Sequence, residues 1–340
     1  MIRSSVLLAG LLLAMLAAIP YAARADETAP GVGPRFDARG ARVLSLDSVQ
    51  HFQIRSASGV HRLPISPFIG DDFVGDDFAL GGDRHGRPLA IYSRCPASGC
   101  RLFAYRLGAL GGRPIAGVSD PLCEERSGRE EHGVIVFVRA APEFHPRRAS
   151  RCDGLWVKRA RQRPRRLIAG PFFSVPPELG QASAVFDLAR GEVAYVLDRF
   201  RLVPDSHQRH ALVSSELRVF PLAHPRRQRV LARAHYTFLG RDGFFGPSID
   251  QVLLRGGYAY WSRSSTHGDS GPNQDDILRR PIAGGVTETA QRAGRDWVNA
   301  VSTGDYLFDF GIDGRSLLYS DTNGIFRLTI NSNTFRRGRG

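Results

Sequence analysis

Six times along the chain, two short runs of strand-forming residues flank a turn that holds a glycine. The clearest copies are Phe186–Asp198 (FDLARGEVAYVLD), Val252–Arg263 (VLLRGGYAYWSR) and Phe308–Asp321 (FDFGIDGRSLLYSD). Weaker copies are Phe36–Leu46, Phe78–Ser93 and Ser127–Arg139. The turn glycines Gly40, Gly86, Gly133, Gly191, Gly257 and Gly314 are 46 to 66 residues apart. Glycine admits the positive φ of a tight hairpin. Runs such as Leu89-Ala90-Ile91-Tyr92 and Val134-Ile135-Val136-Phe137 are apolar throughout, which suits strands buried on both faces.

Two more strands follow the hairpin in most copies. Arg101–Leu107 and Pro114–Val118 follow the second, Gly154–Lys158 and Arg166–Ala169 the third, and Glu216–Leu222 and Arg229–Ala232 the fourth. A four-stranded unit of about 40–50 residues, lengthened by loop insertions, is one propeller blade. The expected fold is therefore all-β: a six-bladed β-propeller of four-stranded antiparallel blades over residues 36–330. Long helical periodicity is absent after residue 25. The third copy is the poorest, because Asp120–Arg129 is polar where a first strand is needed. The last copy lacks a fourth strand, and either Asn333–Arg337 or the N-terminal segment 26–35 supplies it.

Strand parity gives a working face. Naming the strands a to d from the axis outward, a–b and c–d turns share one face, and b–c and d–a loops share the other. The long insertions Arg139–Asp153, Asp198–Ser215, Ala234–Asp250 and Ser262–Asp276 all fall on the second face, as do the four cysteines. Loops collected on one rim of a rigid scaffold are the expected recognition surface.

Residues 1–25 read as a signal peptide, with Arg3, the apolar run Val6–Ala18 and the cleavage-type triplet Ala23-Arg24-Ala25. The expected location is secreted or extracytoplasmic, with no transmembrane span in the mature chain. Four cysteines in an exported chain allow three pairings. Cys95–Cys100 across a Pro-Ala-Ser-Gly turn, with Cys123–Cys152, is favoured. Net charge is +13, and Lys158 is the one lysine among 46 basic residues. A basic exported protein favours anionic surfaces. Pro146–Arg166 holds nine cationic residues, and Arg226, Arg227 and Arg229 form a second run. Residues 331–340 form a basic tail. Trp156 is the lone aromatic in the longest run, so base-stacking recognition of nucleic acid is not expected.

The repeats resemble the TolB-like six-bladed propellers and, more loosely, YWTD repeats. Tyr260-Trp261-Ser262-Arg263 followed by Ile277-Leu278-Arg279 is similar to a degenerate YWTD blade, and Tyr319-Ser320-Asp321 followed by Ile325-Phe326-Arg327 to a second. The resemblance implies a central channel and loop-built binding surfaces, and fold alone does not choose a function.

No catalytic motif is complete. Gly268-Asp269-Ser270-Gly271-Pro272 resembles the nucleophile box of trypsin-type proteases, but one glycine is missing and no suitable histidine lies upstream. No G-x-S-x-G elbow occurs. The candidate ligand-binding residues are Asp71, Asp72, His267, Asp269, Asp275 and Asp276, all on the long-loop face. Oxygen-rich loops bind calcium, but these do not match the spacing of an EF-hand, and no other cofactor or metal is expected. The function expected is a non-catalytic module that binds a ligand, a protein or an envelope component, with an anionic cell-surface polymer as one such partner. The alternative is a metal-assisted hydrolase or lactonase with its site at the channel mouth.

Overall fold

The computed structural model describes residues 26–29, 36–39, 41–47, 51–65, 78–96, 99–141, 149–170, 185–202, 210–235, 244–267, 274–290, 309–313, 315–321, 324–330 and 335–337. The expected signal peptide lies outside them, as do turn glycines Gly40 and Gly314.

Strand β1 (Asp26–Ala29) opens the described chain. The first blade is β2 (Phe36–Ala38), β3 (Val43–Leu46), β4 (Phe52–Ser56) and β5 (Gly59–Arg62). The second is β6 (Phe78–Gly82), β7 (Pro88–Arg94), β8 (Arg101–Arg106) and β9 (Arg113–Pro114). The third is β10 (Glu124–Glu131), β11 (Val134–Ala140), β12 (Gly154–Arg159) and β13 (Arg165–Ala169), with a single helical turn, α1 (Ala149–Cys152), before β12. The fourth is β14 (Phe186–Ala189), β15 (Glu192–Leu202), β16 (His210–Pro221) and β17 (Arg229–His235). The fifth is β18 (Phe244–Arg255), β19 (Tyr258–His267), β20 (Gln274–Pro281) and β21 (Glu288–Ala290). The sixth begins with β22 (Asp309–Asp313), β23 (Ser316–Asp321) and β24 (Gly324–Thr329).

The two candidates for the missing outer strand have separate places. β1 pairs antiparallel with β24, Asp26 facing Arg327 and Glu27 facing Phe326, so the start of the chain completes the last blade. Strand β25 (Phe335–Arg337), from the basic tail, instead pairs with β21 as a fifth strand of the fifth blade. Tail residue Phe335 is buried beside Tyr260, ring centroids 5.7 Å apart. An aromatic inside a basic run is the local reason that this strand docks.

The innermost strands touch in a closed cycle: β2 with β6, β6 with β10, β10 with β14, β14 with β18, β18 with β22, and β22 with β2. This is a β-propeller. Six apolar clusters fill the six junctions. Leu44, Phe52, Phe78 and Tyr92 join blades one and two, and Ile91, Leu102 and Phe137 join two and three. Val136, Phe186 and Phe220 join three and four, and Val196, Leu217, Leu254 and Trp261 join four and five. Tyr260 and Phe310 join five and six, and Phe36 with Leu318 closes six onto one. The period-2 alternation of a strand explains the division. Along β15, Val193 and Tyr195 face the third blade while Ala194 and Val196 face the fifth.

Three a–b turns are two-residue hairpins with φ positive at both positions: His132-Gly133 (51° and 80°), Arg190-Gly191 (53° and 72°) and Gly256-Gly257 (59° and 83°). That is the twist-matched turn of antiparallel pairs. Three segments expected to be loops are largely strand. Pairing continues from Asp198↔Ser215 to Leu202↔His210, and from Arg263↔Asp276 to Ser265↔Gln274. The Ala234–Asp250 segment likewise contains the first half of β18, where Phe244 faces His267. Ladder hydrogen bonds need no apolar pattern, so these polar stretches extend the hairpins of the fourth and fifth blades past the ring.

Candidate functional site

Two inner strands begin with the same pair, Phe36-Asp37 and Phe186-Asp187. The phenylalanine packs between blades, and the aspartate reaches the next blade's inner strand. Asp37 Oδ2 accepts the Leu80 amide and Asp187 Oδ2 the Leu254 amide, each at 2.7 Å. Both carboxylates therefore replace a missing β-ladder bond where one blade meets the next. Gln251 does the same between blades five and six, donating to the Phe310 carbonyl at 3.0 Å and accepting its amide at 3.1 Å.

Arg255, at the end of β18, lies at the centre of these contacts. Its Nη1 is 2.7 Å from Asp187 Oδ2, and its Nη2 is 3.8 Å from Asp37 Oδ1. The first and fifth blades are not neighbours in the cycle, so this guanidinium bridges across the ring. Burial works against its charge, but the two aspartates outweigh burial and raise its pKa above the ordinary value. Arg39 extends the network, donating to the Glu130 carbonyl at 3.0 Å and pairing with Glu131 at 3.3 Å. Glu131 in turn accepts the Gly191 amide at 3.2 Å. The carboxylates here are bound into the framework.

The third blade's polar first strand has the same explanation. Glu125 and Glu130 are buried, and each has a built acceptor role. Glu130 Oε1 accepts the Gly133 amide at 2.5 Å, and burial pushes its pKa up to about 7 against that hydrogen bond and the Arg39 charge. Glu130 also lies against Gly81, where a Cβ would meet its Oε2 at 2.9 Å, so glycine is the residue that admits this carboxyl. Glu125 accepts the Asp120 amide at 2.8 Å between Arg101 and Arg139, and burial pushes it also to about 7. Arg101 donates to the carbonyls of Cys100 (2.9 Å) and Cys123 (2.7 Å). One side chain thus ties both disulfide-bearing loops, and the disulfides are the expected Cys95–Cys100 and Cys123–Cys152. Paired cysteines fit a chain that folds in an oxidising compartment.

Of the six expected ligand-binding residues, Asp71, Asp72 and Asp269 lie outside the described residues. His267 and Asp275 lie in β19 and β20, with their backbones in the fifth blade's extended hairpin. Asp276 is buried in a cross-strand ion pair with Arg263 at 2.6 Å. It braces that hairpin. Among the described residues no group of three or more His, Cys, Asp or Glu is disposed to hold a metal ion, and no helix is long and apolar enough to cross a membrane.

Two grooves open on the opposite, short-turn face. One, about 400 Å³, lies between blades four and five and includes Arg190, Glu192, Arg229 and Arg255. The other, about 380 Å³, lies between blades three and four and includes His132, Arg159 and Arg190. The sequence placed basic turns on this face but gave no sign that neighbouring blades would part to form grooves.

No protein-family profile matches the chain, and no characterised sequence does. Solved structures align along most of it. The tricorn protease aligns with a TM-score of 0.48 at 12% identity, over 91% of this chain and 26% of that one. The β-propeller domain of the Trilobed protease from Pyrococcus furiosus aligns with a TM-score of 0.43 at 8% identity, over 92% and 96%. The GH74 xyloglucanase from Xanthomonas campestris aligns with a TM-score of 0.45 at 12% identity, over 90% and 46%. This chain therefore spans about a quarter of the length of the tricorn protease chain.

Proposed function

We propose that this protein is a secreted, non-catalytic binding module of TolB-like type that recognises a protein or envelope component through its long-loop face. The observation that carries the proposal is the commitment of the axial carboxylates. Asp37 and Asp187 each hold a neighbouring blade's amide and share Arg255. A hydrolase at the channel mouth needs carboxylates that are free to ligate a metal or move a proton. In support, the long connections 63–77, 170–185 and 291–308 leave on the b–c and d–a side, as do the extended hairpins of blades four and five. Asp71, Asp72, His267, Asp269 and Asp275 belong to the recognition surface, with Asp276 holding Arg263 behind it.

The test has two arms. Thermal unfolding with Ca²⁺, Mn²⁺ or Zn²⁺ against EDTA is expected to give one Tm, because a metal present at a hundred times its Kd would add about 2.7 kcal/mol. A photo-crosslinker placed in residues 268–273 is expected to capture a discrete envelope component, and the same probe at Arg226 is not. A metal-dependent rise in Tm together with lactone hydrolysis, or equal capture from both faces, would contradict the proposal.

A further inference from the structure

We propose that the short-turn face of the ring docks on an anionic lipid bilayer through its c–d turns, which offer arginines to the head groups and single aliphatic side chains to the interface beneath them. This goes beyond the long-loop reading and stands or falls separately from it, because it engages the opposite face.

Five c–d turns lie on this face. With their flanking strand ends they span residues 56–60, 107–113, 159–165, 222–230 and 282–287. None of the five contains an Asp or Glu, and together they hold eight arginines. Arg161, Arg163, Arg226 and Arg227 are exposed and make no ion pair among the described residues. The carboxylates that approach this face are already matched: Asp83 by Arg87 and Arg106, Glu131 by Arg39, Glu192 by Arg229 and Glu288 by Arg279. The long-loop connections instead carry Asp71, Asp72, Asp269 and Asp275. Charge is thus divided between the two faces, and the short-turn face is the one that attracts an anionic surface.

Charge alone would serve any polyanion, and the apolar residues decide between partners. Among the described residues four large aliphatic side chains are exposed: Val60, Leu110, Val230 and Val286. All four lie in these turns, on blades one, two, four and five. Aliphatic residues scattered singly over a surface need no explanation, but four gathered on one rim among arginines do. Leu110 is wholly exposed, at 101%. Its turn is braced from within: the Tyr105 hydroxyl donates to the Ala109 carbonyl at 3.1 Å, and the Ala109 amide to the Arg106 carbonyl at 2.9 Å. A hydrated polyanion would satisfy the arginines and leave these side chains in water. The head-group boundary of a bilayer accommodates both. Strand β1 also enters the sixth blade from this side, since Asp26 faces Arg327 and Ala29 faces Ile325. The expected signal peptide therefore joins the ring on the face that carries the arginines.

Cosedimentation of the full disulfide-bonded protein with vesicles of equal parts phosphatidylglycerol and phosphatidylcholine tests this, with pure phosphatidylcholine vesicles and soluble dextran sulfate as comparisons. Binding to the anionic vesicles, weakened by added salt, is expected, with none to phosphatidylcholine alone. An arginine near such a surface is worth about five-fold in affinity, so Arg226→Ala combined with Arg227→Ala should weaken vesicle binding about 25-fold. Leu110→Ser should weaken it about five-fold or more and leave dextran sulfate binding as it was. Arg199→Ala, on the long-loop side, should bind as the parent does. All of these positions are exposed, so the fold should survive. Equal binding to phosphatidylcholine vesicles, binding unchanged by the paired arginine substitutions, or a Leu110→Ser protein that holds the anionic vesicles as tightly as the parent would each overturn the proposal; the last would make this face a site for a hydrated polyanion.

Discussion

Glu130→Gln isolates the cost of burying a carboxyl between two inner strands. In the parent the Glu130 side chain is buried, its Oε1 accepts Gly133 N, and burial raises its pKa from 4.5 to about 7. The folded protein then retains a proton that the unfolded chain has released, across that whole interval. Stability from this group is fully present below about pH 4.5, declines as pH rises, and is lost once pH passes about 7. At about 1.4 kcal/mol per pH unit, the interval is worth about 3 kcal/mol. Glutamine keeps the shape and the acceptor but does not titrate. Urea unfolding at a series of pH values should therefore show the parent losing about 3 kcal/mol more than Glu130→Gln between pH 4.5 and 7. Arg39 and Asp83 also act on this carboxyl, but Asp83 titrates near 2, below the window. Parallel stability curves for the two proteins would refute the reasoning, because they would mean that this carboxyl is hydrated or ionised in the folded ring.

Other perturbations have expected outcomes of their own. Replacing Cys123 and Cys152 by serine opens a loop of sequence separation 29 and should cost about 3–4 kcal/mol in denaturant unfolding; a loss below about 1 kcal/mol would show that the Arg101 and Glu125 contacts hold those loops without it. Deleting Asp26–Ala29 removes the outer strand of the sixth blade and should lower Tm by about 5 °C or more; an unchanged Tm would mean that β1 adds nothing to closure. Asp187→Ala leaves Arg255 without its nearest counter-charge and the Leu254 amide unmet, for an expected loss of about 3–5 kcal/mol.

The repeat was legible because it rests on local rules. Glycine at Gly133, Gly191 and Gly257 admits positive φ, and apolar runs such as Val193–Val196 reveal strands buried on both faces. Of the three possible cysteine pairings, the one favoured from the short turn between Cys95 and Cys100 is the one that forms. What escaped notice depends on distant partners. Glu124–Glu131 has no strand pattern, yet it is an inner strand because Arg39, Arg101 and Arg139 come from outside it to meet its carboxylates. The axial role of Arg255 depends on Asp37, more than two hundred positions earlier in sequence. Closure by the N-terminal segment was one of two options that the sequence left open, and the pairing of Asp26–Ala29 with β24 decides between them. The grooves of the short-turn face depend on how neighbouring blades diverge, and no single repeat contains that information.

The central claim is that the chain closes into a ring whose carboxylates are spent on closure. A double-mutant cycle between Asp37→Asn and Arg255→Met tests it most directly, because these residues come from the first and fifth blades and meet only across a closed axis. Denaturant unfolding of the four proteins should give a coupling energy of about 1–3 kcal/mol. Losses that add to within about 0.5 kcal/mol would contradict the ring and, with it, the assignment of these carboxylates to structure.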